Sequence, residues 1–338
     1  MNSFKFNYLV FIGLCLNSCT EDPTIQLANF KSQPVIYGII DSNDTVHYIR
    51  VARVFSGLQP PFETAQIRDS LRFDSVKVSV SLKEIRTGKN IEIPVRPWEI
   101  GDGEPGMFDP GGYQLFRFEK DLLLDIFHPY EPWTIMEQHL LFSQIKLVVE
   151  VPGLPVARCS TAFVEPPQIW SPDRAQTDIF IYPGWPLRIQ WSGDAWNEID
   201  VTFDLKEQFQ DTTIARRFRV QKTSEVFYNG KYNEIRVPYE LIVQTLVQNL
   251  EVRQDIIRRY FGPFRIDLLT GNQTFYTCME FRNGINDFNF NPYDNIENGI
   301  GMLAAKSSFI KSKMYLDQPS RLKFAEEPVL RKFRITEY

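Results

Sequence analysis

An unbroken alternation of apolar and polar residues from Val76 to Lys83 constrains this chain more than any other feature. Val76, Val78, Val80 and Leu82 are apolar, and Lys77, Ser79, Ser81 and Lys83 between them are polar. Successive strand side chains point to opposite faces, so only the extended state turns this pattern into one apolar and one polar face. Arg86 to Asn90 supplies a turn and Ile91-Glu92-Ile93 brings the chain back, which predicts a hairpin over 76–95. The same period recurs at 35–39, 46–55, 113–118, 144–150 and 156–164. Further strands are expected at 187–191, 198–205, 212–221, 264–269, 275–281 and 299–306. Only after Pro238 does the period change. Apolar residues at 242, 243, 246, 250, 256 and 257 then predict one or two amphipathic helices, ended by Pro263.

A chain of 338 residues is longer than a single hydrophobic core usually supports. Glu165-Pro166-Pro167 is the best boundary, because adjacent prolines stop a strand from continuing. The expected fold class is therefore mainly β, with two β-sandwich domains of immunoglobulin/fibronectin-like type. Residues 33–165 form the N-terminal sandwich. Residues 168–323 form a fibronectin-like domain with a helical insertion, and 324–338 a C-terminal tail.

The first residues follow a different logic. Lys5 precedes an apolar run from Leu9 to Leu16, too short for a bilayer core that needs about 20 residues. A charged start, apolar middle and small-residue end make a secretory signal peptide of residues 1–18. Leu16-Asn17-Ser18-Cys19 resembles the bacterial lipobox, although Asn17 departs from its usual small residue. The resemblance implies that Cys19 becomes a diacylated N-terminus, with 19–32 as a tether; more than one acyl chain makes such anchoring stable. Glu21 and Asp22, directly after the cysteine, resemble the signal that sends Bacteroidota lipoproteins to the outer leaflet. The expected location is the outer membrane, lipid-anchored and facing the cell exterior.

Three further segments carry a family resemblance: Pro34-Val35-Ile36-Tyr37-Gly38-Ile39-Ile40 with Arg53-Val54-Phe55; Val149 to Gly153 continuing to Ala162–Pro167; and Asn295 to Leu303. Together they resemble the Bacteroidota surface-lipoprotein family called domain of unknown function 4249, over nearly the whole mature chain. The resemblance implies two β domains and a gene placed beside that of a TonB-dependent outer-membrane receptor. It carries no reaction and no catalytic residues.

The remaining residues offer little chemistry. A net charge of −5 and a pI near 5.5 argue against nucleic acid as a partner, since phosphate binding draws on a basic surface. His47, His128 and His139 make no zinc-binding pair, and no nucleophile elbow or phosphate loop occurs. Asp287 to Asp294 places oxygens at alternate positions as a calcium loop does. Pro292 stands where such a loop needs glycine, so an Asn/Asp-rich turn is the better reading. No catalytic residue, metal or cofactor is expected. Cys159 and Cys278 are expected to be buried, unpaired thiols.

Aromatics are abundant, at 14% of residues, and exposed rings mark interaction sites. Trp196 beside Gly193-Asp194, and Phe288, Phe290 and Tyr293 in the Asn-rich segment, are the binding candidates, with closure of the core ends the alternative for all four, Trp196 foremost. Asp44-Thr45-Val46, Asp69-Ser70-Leu71, Asp74-Ser75-Val76 and Asp211-Thr212-Thr213 resemble this phylum's O-glycosylation sequon, or equally mark turns before strands. The function expected is a non-enzymatic binding or accessory module beside a TonB-dependent transporter. A structural subunit of an envelope assembly or secretion complex is the alternative. Labelled palmitate should enter the wild-type chain and not Cys19→Ala; equal labelling of the two would remove the anchor.

Overall fold

The computed structural model describes residues 32–54, 61–84, 88–98, 114–119, 143–173, 176–223, 227–228, 233–282 and 295–337. The fold is mainly β, in several sheets. Before Pro166 lie β1 (Pro34–Asp41), β2 (Val46–Arg53), β3 (Lys77–Glu84), β4 (Asn90–Ile93), β5 (Arg96–Trp98), β6 (Gln114–Glu119), β7 (Ser143–Glu150) and β8 (Ala157–Ala162). After it come β9 (Gln168–Ser171), β10 (Asp178–Ile179), β11 (Leu187–Ser192), β12 (Trp196–Gln208), β13 (Thr213–Thr223), β14 (Phe227–Tyr228) and β15 (Asn233–Val237). The last two are β16 (Arg258–Gly271) and β17 (Ile300–Leu316). Helices α1 (Tyr239–Asn249), α2 (Gln273–Arg282) and α3 (Gln318–Glu326) complete the set, with single helical turns at Pro61–Thr64 and Arg68–Leu71. Among the described residues no helix is long and apolar enough to cross a membrane.

One large sheet runs in the order β13-β12-β16-β17-β1-β2-β6-β5, with β10 beside the end of β17. Two four-stranded sheets, β4-β3-β7-β8 and β14-β15-β11-β9, complete the architecture. The predicted hairpin is present as β3 and β4, with Val80 opposite Ile93 and Leu82 opposite Ile91. Its inward residues join Ile36, Ile49, Phe116, Phe118, Ile145 and Leu147 in one core cluster. A second cluster gathers Trp191, Phe203, Phe264 and Leu268 with Ile242 and Leu246 of α1. Leaving aside what β17 and its approach contribute, these clusters fall on opposite sides of Pro166-Pro167, while the large sheet takes strands from both.

The join between those strands is a parallel pairing of β1 with β17, Val35 opposite Ile300 through Asp41 opposite Lys306. The three segments quoted above meet here. Arg158 and Glu297 exchange backbone hydrogen bonds of 3.0 and 2.8 Å, and the Asn298 amide donates to the Val156 carbonyl at 3.1 Å. Asn295 brackets Leu303, donating to its carbonyl at 2.7 Å and accepting from its N–H at 3.1 Å. The Ser42 hydroxyl donates to the Val164 carbonyl at 2.6 Å.

Several expectations need correction. Phe275–Phe281 is not a strand but lies within α2. Asn272 caps that helix by accepting from the Phe275 N–H at 3.0 Å, and Phe275, Cys278 and Met279 share its inward face at helical spacing. The single helix after Pro238 ends at Asn249, and Pro263 does not stop it but sits inside β16. There Gly262 and Pro263 together oppose Asp204 alone, the β-bulge arrangement that tolerates a proline. The last core strand runs on to Leu316. The residues read as a C-terminal tail are core as well, because Phe324, Leu330, Phe333 and Ile335 are buried. Phe324 lies 4.4 Å from the Tyr239 ring and 4.9 Å from that of Phe261.

A buried ion pair ties this end down. Arg259 and Glu207, each 1% exposed, meet at 2.7 Å, and Arg259 also donates to the carbonyls of Phe333 and Glu251. Cys159 and Cys278 are half-buried and form no disulfide; burial pushes the Cys159 thiol up to about 12.

Gly301 adopts φ +121°, and a Cβ there would collide with the backbone of Ile36, its partner across the β1–β17 ladder. Gly301→Ala is therefore expected to cost about 2–4 kcal/mol, read as a lowered denaturation midpoint. A midpoint equal to wild type would show that this pairing does not hold the fold.

Candidate functional site

The strongest surface feature is a group of exposed aromatic rings held on rigid backbone. β10 lies parallel to the end of β17, with Asp178 opposite Tyr315 and Ile179 opposite Leu316. From Ile179 the chain stays extended, so parity buries Ile179 and Ile181 and turns Phe180 and Tyr182 outward. Pro183-Gly184 then reverses the chain. Gly184 has φ +81°, the conformation the third residue of a type II turn requires, and proline suits the position before it. Tyr182 and Trp185 close the turn with backbone hydrogen bonds of 3.0 and 2.7 Å.

The rings form an open group: Phe180 is 44% exposed, Tyr182 37% and Trp185 67%. Phe180 and Tyr182 stack nearly parallel, their planes 7° apart and their centroids 5.7 Å apart. Trp185 meets Phe180 edge-on at 6.5 Å, and the Lys323 ammonium stands 5.7 Å from the Tyr182 ring. The support beneath is buried. The Ile181 N–H donates to the Ser320 hydroxyl at 2.8 Å, and Asp317 caps α3 by accepting from the Ser320 N–H at 3.0 Å. Two-torsion aromatic side chains on a pinned backbone lose little entropy when a partner covers them, which is what makes Tyr and Trp effective anchors.

The residues singled out by sequence lie elsewhere. Trp196 opens β12 but is 4% exposed; it packs edge-on against Phe275 at 5.3 Å, in a cluster with Met302 and Ala304. It closes the end of a core and presents no face to a partner. Gly193 and Asp194 beside it line a separate cleft of about 320 Å³ with Glu165, Pro166 and Pro167. Phe288, Phe290 and Tyr293, with the rest of the Asn-rich segment, lie outside the described residues, as do Cys19, Glu21, Asp22, His128 and His139. Of the sequon hydroxyls, those of Thr45, Ser75 and Thr212 belong to exposed residues. Ser70 instead donates to the carbonyls of Thr64 and Ile67. Among the described residues, no group of His, Cys, Asp and Glu is placed to hold a metal ion.

Phe180, Tyr182 and Trp185 were not among the residues singled out by sequence, yet their signal was present. Ile179-Phe180-Ile181-Tyr182 is apolar at odd and even positions alike and runs into Pro183-Gly184-Trp185. A short strand before a turn buries one face, so the other must show its rings. No protein-family model matches this chain, and no curated protein does.

A second feature is electrostatic. On the outer face of the β14-β15-β11-β9 sheet, Glu234 accepts from Arg188 at 2.7 and 2.9 Å, Gln190 at 2.8 Å and Arg236 at 2.8 Å. The Arg188 hydrogen bond, aided by Gln190 and Arg236, lowers its carboxyl to about 2. A depressed carboxylate pKa stabilises the folded state above the unfolded value, and that stabilisation fades as pH falls toward the folded one. Glu234→Gln should therefore melt below wild type at neutral pH. The gap should narrow as pH drops from 4.5 toward about 2, which thermal melts across that range would check. A gap that does not change with pH would mean that the charge on Glu234 does not matter.

Proposed function

We propose that this chain is a lipid-anchored surface protein of the outer membrane that acts as a non-enzymatic binding or accessory module. One observation carries the reading: Phe180, Tyr182 and Trp185 form an exposed aromatic group on backbone pinned from beneath. Clustered open rings mark interaction surfaces, and such rings supply most of the binding energy where a partner buries them. The anchor rests on the lipobox-like Leu16-Asn17-Ser18-Cys19, and outward display on Glu21 and Asp22. The scaffold we propose is two β-sandwich domains of immunoglobulin/fibronectin-like type; hydrophobic clusters on either side of Pro166-Pro167 support it. The resemblance to domain of unknown function 4249 supports a TonB-dependent outer-membrane receptor as the partner.

The test uses full-length chain solubilised from membranes, as wild type and as the Phe180→Ala, Tyr182→Ala, Trp185→Ala triple variant. The variant should melt close to wild type, because the rings are solvent-facing. Co-purification of a receptor should fall sharply, since truncating one central anchor typically costs about 2 kcal/mol or more. A variant that keeps its partner would move the interface elsewhere. Recovery of a multi-subunit envelope complex in place of a receptor would favour a structural subunit.

A further inference from the structure

We propose that a cavity of about 600 Å³ between β12, β16, the end of β17 and α3 binds a small organic acid, a carboxylate or phosphate carried on an apolar body. Lys206, Tyr260, Tyr315, Arg321 and Glu337 line it, and none of Phe180, Tyr182 and Trp185 does, so the site stands apart from the reading above. Its volume is within the range of roughly 300–1,000 Å³ typical of small-molecule sites.

Charge chooses the ligand's acid group. Lys206 and Tyr260 are register partners across β12 and β16, and the Lys206 ammonium stands 5.8 Å from the Tyr260 ring. Arg321 comes from α3, and its Nε is shut off from solvent without a hydrogen-bond partner. A buried donor left unpaired costs free energy, so such groups in folded proteins usually await a water or a ligand. The nearby acids do not answer it. The Asp317 carboxylate accepts from the Ser320 N–H, and Glu337 accepts from the Gln318 amide at 2.6 Å. The mouth therefore holds two cations and one carboxylate, and a guanidinium's planar donors match the geometry of a carboxylate or phosphate. The walls choose the rest of the ligand. Tyr260 and Tyr315 flank the cavity and Phe261 backs it, more apolar surface than a bare inorganic anion would use.

Calorimetric titration of the full-length chain with phenyl phosphate, benzoate, inorganic phosphate and benzyl alcohol tests this. At least one of the two aryl acids should bind at millimolar affinity or tighter, inorganic phosphate more weakly, and benzyl alcohol not at all. Which aryl acid binds tighter distinguishes a phosphate from a carboxylate ligand. Arg321→Gln and Lys206→Gln should each weaken binding by about tenfold, the usual worth of a hydrogen bond to a charged group. Glu337→Gln should tighten it by removing a like charge. Circular-dichroism melts establish that each variant folds, and if Arg321→Gln does not, the other two carry the test. Absence of binding by both aryl acids, inorganic phosphate binding as tightly as they do, or affinity unchanged by the folded variants would each overturn the proposal.

Discussion

Everything after the first strand depends on where β1 docks. Its partner β17 lies at the far end of the chain, and the pairing is parallel, so nearly the whole protein forms the connection between them. Lys306 and Asp41 close one end of the ladder with a 3.1 Å ion pair. Close packing leaves little freedom elsewhere. A Cβ on Gly38 would press into the side chains of Ile49 and Leu303, and one on Gly301 would strike Ile36. Contacts between residues so distant in sequence are made only after a large loss of chain entropy. The pairing joins the two halves of the sheet: β2 and β6 extend it on one side and β16 and β12 on the other.

The opposite end of the large sheet is organised by charge. Glu207 points to the inner face of β12, where parity calls for an apolar residue, and Arg259 of β16 meets it there. Arg216 adds a second contact to the same carboxylate at 2.7 Å. An isolated buried charge is costly, so the pair is tolerable only with its remaining donors satisfied, and Arg259 spends them on Phe333 and Glu251. The same residue exchanges backbone hydrogen bonds with the chain end, through Arg334 and Thr336. A polar pair in the core thus holds the C-terminal segment against the sheet, and through it the Glu337 side of the cavity that Lys206 and Arg321 also line.

Much of the fold was legible because side-chain parity is local. The hairpin of β3 and β4, the strands at 144–150, 187–191 and 198–205, and the helix after Pro238 all lie where their periods put them. The misreadings share a cause. Phe275 to Phe281 is a short apolar run, which periodicity cannot assign to strand or helix, and the deciding groups are the Asn272 cap and the core beneath. Pro263 reads as a breaker until a bulge opposite Asp204 absorbs it. Trp196 stands out in the sequence beside Gly193-Asp194, and of its two readings the core-closing one holds, because Phe275 of α2 packs against it.

By itself the sequence determined the β class, the alternation of each strand's faces and the prolines between the two hydrophobic clusters, since each depends on neighbouring residues alone. It also carried the lipobox-like Leu16-Asn17-Ser18-Cys19, a resemblance written in consecutive letters. Which strands pair, which aromatic rings are covered and which charges meet were decided only in three dimensions. Ile181 and Phe180 are both apolar neighbours on one strand, and nothing local separates them. The Ile181 side chain joins the buried cluster that includes Phe324 and Leu330, far along the chain, and the face that holds Phe180 is left to solvent. Burial is a property of what packs against a side chain, and in a sheet joined at its middle by β1 and β17 that partner is often remote.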